Sequence, residues 1–266
     1  MLDQITPLII TYNEAPNIRR TLEKLLWARR IVVVDSGSTD HTTEILHECP
    51  QVEVIEHPFL DFASQCNFGL TRVATPWVLS LDADYELSDA LVSELQTLMP
   101  AVGTAGYRAG FVYRVHGRAL HGALYPPRTV LYRKEGAVYR REGHGHRVSV
   151  SGNVLPLGGV IYHDDRKPLA RWLVSQRRYA RDEAEYLLGL QPAFGWVDRV
   201  RRMAWPAPLG VLPYVLLVKG CIWNGWAGWY YAVQRTLTEA LVAFEVIRGR
   251  VAGSGSARSR AGRETH

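Results

Sequence analysis

The chain has 266 residues, 47% hydrophobic and 21% charged, with a formal net charge of +5, so it can bury a sizeable core and suits an anionic partner. Its three cysteines, Cys49, Cys66 and Cys221, are scattered, with no Cys/His spacing for zinc and no disulfide framework. The N-terminal stretch has no basic region followed by an apolar run, so no signal peptide is expected and a reducing cytoplasm is the simplest compartment.

Residues 1 to 100 alternate regularly. Ile5 to Ile10 reads as a strand, and Asn17 to Trp27 as a helix with Ile18, Leu22, Leu25 and Leu26 on one side. Ile31 to Val34 reads as a buried parallel strand, Thr39 to Glu48 as a short helix and Val52 to Glu56 as a strand. Phe62 to Val73 reads as a helix, Trp77 to Leu81 as a strand, and Ser88 to Met99 as a helix with Ser88 as N-cap. Strand and helix in this alternation predict right-handed βαβ units, hence a mostly parallel sheet covered by helices.

Beyond residue 100 the chain changes character. Residues 101 to 165 are rich in Gly, Arg, Tyr and His and read as an irregular, mixed extension of the sheet that builds the acceptor half of a cleft. Residues 166 to 202 are helical, with nine Arg/Lys against four Asp/Glu. Trp172, Leu173, Tyr179, Ala180, Ala184, Leu187 and Leu188 mark the apolar side there. Residues 203 to 234 are nearly uncharged and hold Trp205, Trp223, Trp226 and Trp229. Neither of their apolar blocks reaches the ~20 residues of a spanning helix, whereas Trp and Tyr beside arginines suit the lipid interface. A membrane-associating region over 166–248 is therefore expected, with a buried dimer interface or plain core helix as the alternative. From Gly249 a Gly/Ser/Arg-rich tail, 249–266, reads as disordered.

Open parallel sheets bind ligands at the carboxyl ends of their strands. Three polar clusters fall there: the TYNE turn (Thr11 to Glu14), Asp35 opening VDSGSTD, and Asp82-Ala83-Asp84 after WVLSL. Two carboxylates two residues apart can converge on one hard cation, Mg²⁺ or Mn²⁺, which can offset charge on a leaving diphosphate. Asp35 can accept from a nucleobase N–H, or serve the turn that starts the next helix, and both roles can coexist. No GxGxxG follows the first strand, which disfavours a dinucleotide oxidoreductase. The DxD follows the fourth strand and not the first, which disfavours an aspartyl-phosphate phosphatase.

LIITYNEAPNIRRTL, IVVVDSGSTDHTTEIL, NFGL and WVLSLDADYEL together resemble the family 2 glycosyltransferases. The closer likeness is to the lipopolysaccharide-core β-glucosyltransferase group, tight over about residues 5 to 90. It is looser through GALYPPRTVLYRK, REGHGHRV, YHDDRKPLARWL and KGCIWNGWAGWYYAVQRTL. The resemblance implies a GT-A fold over residues 1–165, a nucleotide-sugar donor with UDP as the nucleotide, a divalent metal and inversion at the anomeric carbon. Carried across, it implies that Thr11, Tyr12, Glu14, Asp35 and Ser36 line the nucleoside pocket, that Asp82 meets ribose or metal, and that Asp84 is the main metal ligand; from the residues alone, His163 is a candidate for a further metal or phosphate ligand.

Inverting relatives often use the Glu of a His-Glu pair as general base, and here the corresponding stretch is GHGHRV, with His144 and His146 and no adjacent acid. A base must reach the acceptor hydroxyl. Asp164, Asp165, His144, His146 and Glu142 are the candidates, and Arg128, Arg133, Arg140, Arg141 and Arg147 are candidates to meet a diphosphate or an anionic acceptor. The expected partners are a nucleotide sugar, a lipid-linked or lipopolysaccharide acceptor and the inner face of the cell membrane, not nucleic acid; an oligomer is compatible. A protein of the same fold that binds the donor without catalysis is the alternative.

Overall fold

The computed structural model describes residues 1–142, 145–189 and 195–261, with side-chain surroundings for all of these except 141, 142, 145, 146 and 253–261. The chain divides into two compact units, Met1–Lys167 and Pro168–His266.

In the first unit, β1 (Ile5–Thr11), β2 (Ile31–Asp35), β3 (Val52–Glu56) and β4 (Trp77–Asp82) are parallel, in the order β3-β2-β1-β4. Between them run α1 (Ile18–Glu23), α2 (Thr42–His47) and α3 (Phe62–Arg72). Strands β1, β2 and β4 are mostly apolar because both faces are covered, and Ile31 to Val34 are fully buried, whereas β3 carries Glu53 and Glu56 and is half-buried. Side chains alternate between the faces. Ile9, Ile31, Val33, Leu79 and Leu81 pack with Ile18 and Leu22 of α1. Leu8, Val32, Val34 and Val78 pack with Ala63, Cys66 and Leu70 of α3. The expected helix at 17–27 is shorter: after Glu23 the bonds tighten to i→i−3 (Leu25 N–H to the Leu22 carbonyl, 2.9 Å), so Leu25 turns inward while Leu26 is exposed.

A strand that the sequence reading omits, β5 (Tyr85–Leu87), comes directly after β4, followed by α4 (Asp89–Thr97), whose N-cap is Ser88 (Leu91 N–H to Ser88 Oγ, 3.1 Å). Then come β6 (Thr104–Val115), the two-residue β7 (Arg118–Ala119), β8 (Arg128–Arg133), β9 (Val138–Glu142), β10 (Gly145–Ser149) and β11 (Asn153–His163). The main sheet runs β3-β2-β1-β4-β8-β6-β11-β5, with β7 beside β6, and β9–β10 forms a separate antiparallel ladder. Strand β8 is antiparallel to β4 and β6, and β11 is parallel to β6, so six long strands share one direction. Only Ala83 and Asp84 separate β4 from β5, yet four inter-strand steps lie between them in the sheet. Three Cα–Cα steps reach about 11 Å at most, while four flat spacings need about 19 Å. The sheet must therefore curl, which brings the end of β11 to the tip of β4.

In the second unit, α5 (Leu169–Leu188) packs Ala180, Ala184 and Leu187 against Val242, Ala243 and Val246 of α8 (Trp226–Ala261). Between them lie α6 (Trp196–Arg202), α7 (Pro206–Pro213), a π turn (Tyr214–Val218) and a 3-10 turn (Cys221–Asn224). Arg201 is held by Glu183 and by Glu239 Oε2 at 2.9 Å, so one guanidinium ties α5, α6 and α8. Helix α8 runs as far as Ala261, through the Gly/Ser-rich stretch from Gly249 that the sequence reading expects to be disordered. Among the described residues no helix is long and apolar enough to cross a membrane.

Candidate functional site

The register lines up the strand tips: Thr11 stands opposite Asp35, and Ile10 opposite Asp82. Three of the sequence-predicted positions are thus neighbours at one edge of the sheet. The buried Asp35 carboxylate accepts from Gly37 N–H (2.9 Å), Ser38 N–H (2.7 Å) and Ser38 Oγ (2.5 Å). It organises its own loop, in which Gly37 takes φ +80°, a value favourable only for glycine. The TYNE turn is stitched to that loop: Asn13, at φ 57°, accepts at Oδ1 from Thr39 N–H (2.5 Å) and Asp40 N–H (3.1 Å), and its own N–H reaches Ser38 Oγ (2.7 Å). Ser36 Oγ accepts from Gln65 (2.9 Å), Thr11 Oγ1 is buried without a hydrogen-bond partner, and Tyr12 is half exposed.

At the end of β4, Asp82 is half-buried and Asp84 is buried. Asp84 Oδ2 lies 3.1 Å from His163 Nε2, a pairing that the curl of the sheet makes possible. Burial disfavours the Asp84 carboxylate, but His163, with Lys167 behind it, holds it well below the usual range. The same burial works against a charged His163, and Asp84 outweighs it and raises the imidazole. Asp84 Oδ1 and His163 Nδ1 have no hydrogen-bond partner, an expensive state for buried polar atoms. Among the described residues no cluster of three or more His, Cys, Asp or Glu side chains is assembled for a metal. The orphaned Asp84 oxygen, with Asp82 two residues before it, nonetheless fits a hard cation whose other ligands are water and phosphate.

Behind this edge lies a network the sequence reading missed. The Glu14 carboxylate meets Lys167 Nζ (2.6 Å) and Asn17 Nδ2 (2.9 Å), and Asn17 Nδ2 also donates to Asp165 Oδ1 (3.0 Å). Burial, reinforced by Asp84 and opposed by Lys167, pushes the Glu14 carboxyl up to about 7. Asp164 is fully buried. Its Oδ2 accepts from Arg166 Nε (2.9 Å), Arg166 Nη2 (2.7 Å) and Gly117 N–H (2.9 Å), and lies 3.4 Å from Arg20. Asp164 is thus closed to solvent, with Oδ2 clamped by two guanidiniums and Oδ1 buried without a hydrogen-bond partner, surroundings that differ from the open position a base for an acceptor hydroxyl needs. Arg133 sits at the opposite end of β4, opposite Trp77, with Nε on the Thr104 carbonyl (3.0 Å). Arg140 and Arg147 are exposed. His144 lies outside the described residues, as do the side chains of His146, Glu142 and Arg141. Asn17 carried one signal in the sequence: a short polar residue opening an apolar helix. The pairing of Arg20 with Asp164 across 144 positions carried none.

The model of the family described as glycosyl transferase family 2 matches residues 7–146. A protein of Rickettsia felis named an uncharacterized glycosyltransferase is 26% identical over 205 residues, covering 70% of this chain and 71% of its own. The lipopolysaccharide core biosynthesis glycosyltransferase LpsC of Rhizobium meliloti is 32% identical over 101 residues, 36% of this chain and 37% of that one. Among solved structures, the mannosyltransferase PcManGT of Pyrobaculum calidifontis, in complex with GDP-Man and Mn²⁺, aligns with TM-score 0.53 at 15% identity, covering 92% of this chain and 87% of that one. The fold is thus of the GT-A type, a nucleotide-sugar-binding architecture, and the chain belongs to glycosyl transferase family 2 and is a glycosyltransferase.

Proposed function

We propose that the protein is an inverting transferase that moves a sugar from a nucleotide sugar, with UDP as the nucleotide, to a lipid-linked or lipopolysaccharide-type acceptor at the inner face of the cell membrane. One observation carries the reading: a buried Asp84 oxygen with no hydrogen-bond partner, beside strand tips that hold Thr11, Asp35 and Asp82 in register. Asp84, Asp82 and His163 would hold Mn²⁺ or Mg²⁺, which when bound neutralises charge on the diphosphate. Thr11, Tyr12, Glu14, Asp35 and Ser36 would line the nucleoside pocket, with the Asn13–Ser38 stitching holding them in place. Asp165, half-buried at the same edge, is the base we assign, and it would take the proton of the attacking hydroxyl. The LpsC likeness supports an envelope glycan as acceptor. Membrane attachment is supported by the second unit, where Trp205, Leu217, Val218 and Trp223 are each at least 66% exposed.

The test is transfer by the purified protein, with a panel of nucleotide sugars, membrane lipid extract and Mn²⁺ or Mg²⁺, products being weighed by mass spectrometry. Transfer that falls by at least about a hundredfold in Asp84→Asn supports the reading. No product from any donor, or an Asp84→Asn variant as active as the parent, overturns it.

A further inference from the structure

We propose that Arg128 binds the diphosphate: its guanidinium, mounted on the Tyr125 ring beside the Asp82–Asp84 turn, takes phosphate oxygens of the donor and of the departing nucleoside diphosphate. The inference rests on the nucleotide-sugar reading above and adds a residue to it.

Topology brings Arg128 to the site. Strand β8 runs antiparallel to β4, with Val78 opposite Tyr132 and Leu79 opposite Leu131. The pairing ends there, and the two strands run on in opposite directions, so that Arg128, which starts β8, lies toward Asp82, which ends β4. Side-chain contacts complete the approach. The Arg128 guanidinium carbon lies 4.8 Å from the Tyr125 ring centroid, within cation–π range. The Tyr125 hydroxyl is hydrogen-bonded to that of Tyr85, and the Tyr125 ring packs 4.9 Å from the His163 ring. His163 in turn holds Asp84. Arg128 is therefore braced to the acids through two aromatic contacts.

Its charge is not otherwise spent. Arg20, Arg166 and Arg201 each have a carboxylate partner at ion-pair distance. Among the described residues none lies at that distance from Arg128, although it is half-buried. Burial works against its charge, and the neighbouring ionisable groups, Asp82 and Asp84 among them, outweigh it. A planar fork of donors with no carboxylate in reach, next to acids suited to a cation, fits a phosphate group. In the transfer step the acceptor oxygen bonds to the anomeric carbon while the bond from that carbon to the phosphate oxygen breaks. The electron pair of the broken bond stays on the phosphate, the hydroxyl proton goes to the base, and Arg128 meets the negative charge as it gathers. The plain alternative is an arginine that only balances Asp82 and Asp84 at longer range.

The two are separated by calorimetric titration of the full chain and of Arg128→Gln, Arg128→Lys and Tyr125→Phe. The probes are UDP, uridine and inorganic pyrophosphate, each with Mn²⁺. We expect Arg128→Gln to lose at least about tenfold in affinity for UDP and pyrophosphate, with uridine affinity and Tm unchanged. Arg128→Lys keeps the charge without the fork and falls between. Tyr125→Phe keeps the ring and stays close to the parent for uridine. If Arg128→Gln binds UDP and pyrophosphate like the parent, or loses uridine to the same extent as UDP, the inference fails while the proposed function stands. If the parent binds neither UDP nor pyrophosphate, both fail together.

Discussion

At the scale of single residues, two adjacent acids end up in opposite surroundings. Asp164 faces inward onto Arg20 and Arg166, while Asp165 stays half-open beside Asn17 and Lys167. Replacing Asp164 by Asn takes the carboxylate from half-buried Arg20 and from exposed Arg166, so Asp164→Asn is expected to lose about 1–3 kcal/mol in urea denaturation. Asp165→Asn is expected to leave the denaturation midpoint in place and to slow transfer by about 10²–10⁴-fold. The reverse pattern would return the base to Asp164. Glu14 offers a pH-dependent check. Its folded-state carboxyl is raised to about 7 from an ordinary 4.5, so between those values the folded chain holds a proton that the unfolded chain has released. Stability then falls as pH rises across that window. Glu14→Gln should flatten that part of the stability–pH curve, and an unchanged slope would refute the raised Glu14.

At the scale of elements, β1, β2, β4 and Ser88 as N-cap were readable, because a buried parallel strand needs an apolar run and a cap needs a short oxygen-bearing side chain, and β3 was readable from its β-branched Val52, Val54 and Ile55. Strand β5 was not readable, since three residues give no periodicity and its partner β11 lies 74 positions or more along the chain. The acids at the strand tips were legible one by one. The partners that decide their roles were not, because Asn17, Arg20, Tyr125 and Lys167 reach them only through tertiary folding. The contact of α4 with β11 likewise hangs on a residue that looks idle in sequence. A Cβ on Gly159 would stand 2.4 Å from Leu91 Cα, inside helix backbone. Glu94 caps the same spot by accepting from Gly158 N–H (3.0 Å) and Gly159 N–H (2.8 Å). Gly159→Ala is expected to cost about 1–3 kcal/mol or more in thermal unfolding. Gly110→Ala, where the nearest atom is 3.9 Å away, serves as the control and should cost less.

At the scale of the whole molecule, the second unit's exposed tryptophans make a claim that can be weighed. If its apolar surface beds into headgroups, Trp205→Ser with Trp223→Ser should weaken sedimentation with anionic vesicles by roughly tenfold or more. Because both side chains are open to solvent, Tm should hold. Equal sedimentation of parent and variant would point instead to contact between protein copies, which sedimentation velocity would register. The curled sheet has a further consequence, for solubility. An extended sheet ordinarily ends in unpaired backbone that can zip onto a stranger's strand. One margin here is β5, only three residues long, and the other is β3, which carries Glu53 and Glu56 with Glu53 engaged by Arg30. The fold that draws His163 to Asp84 thereby also leaves little open edge on which aggregates could nucleate.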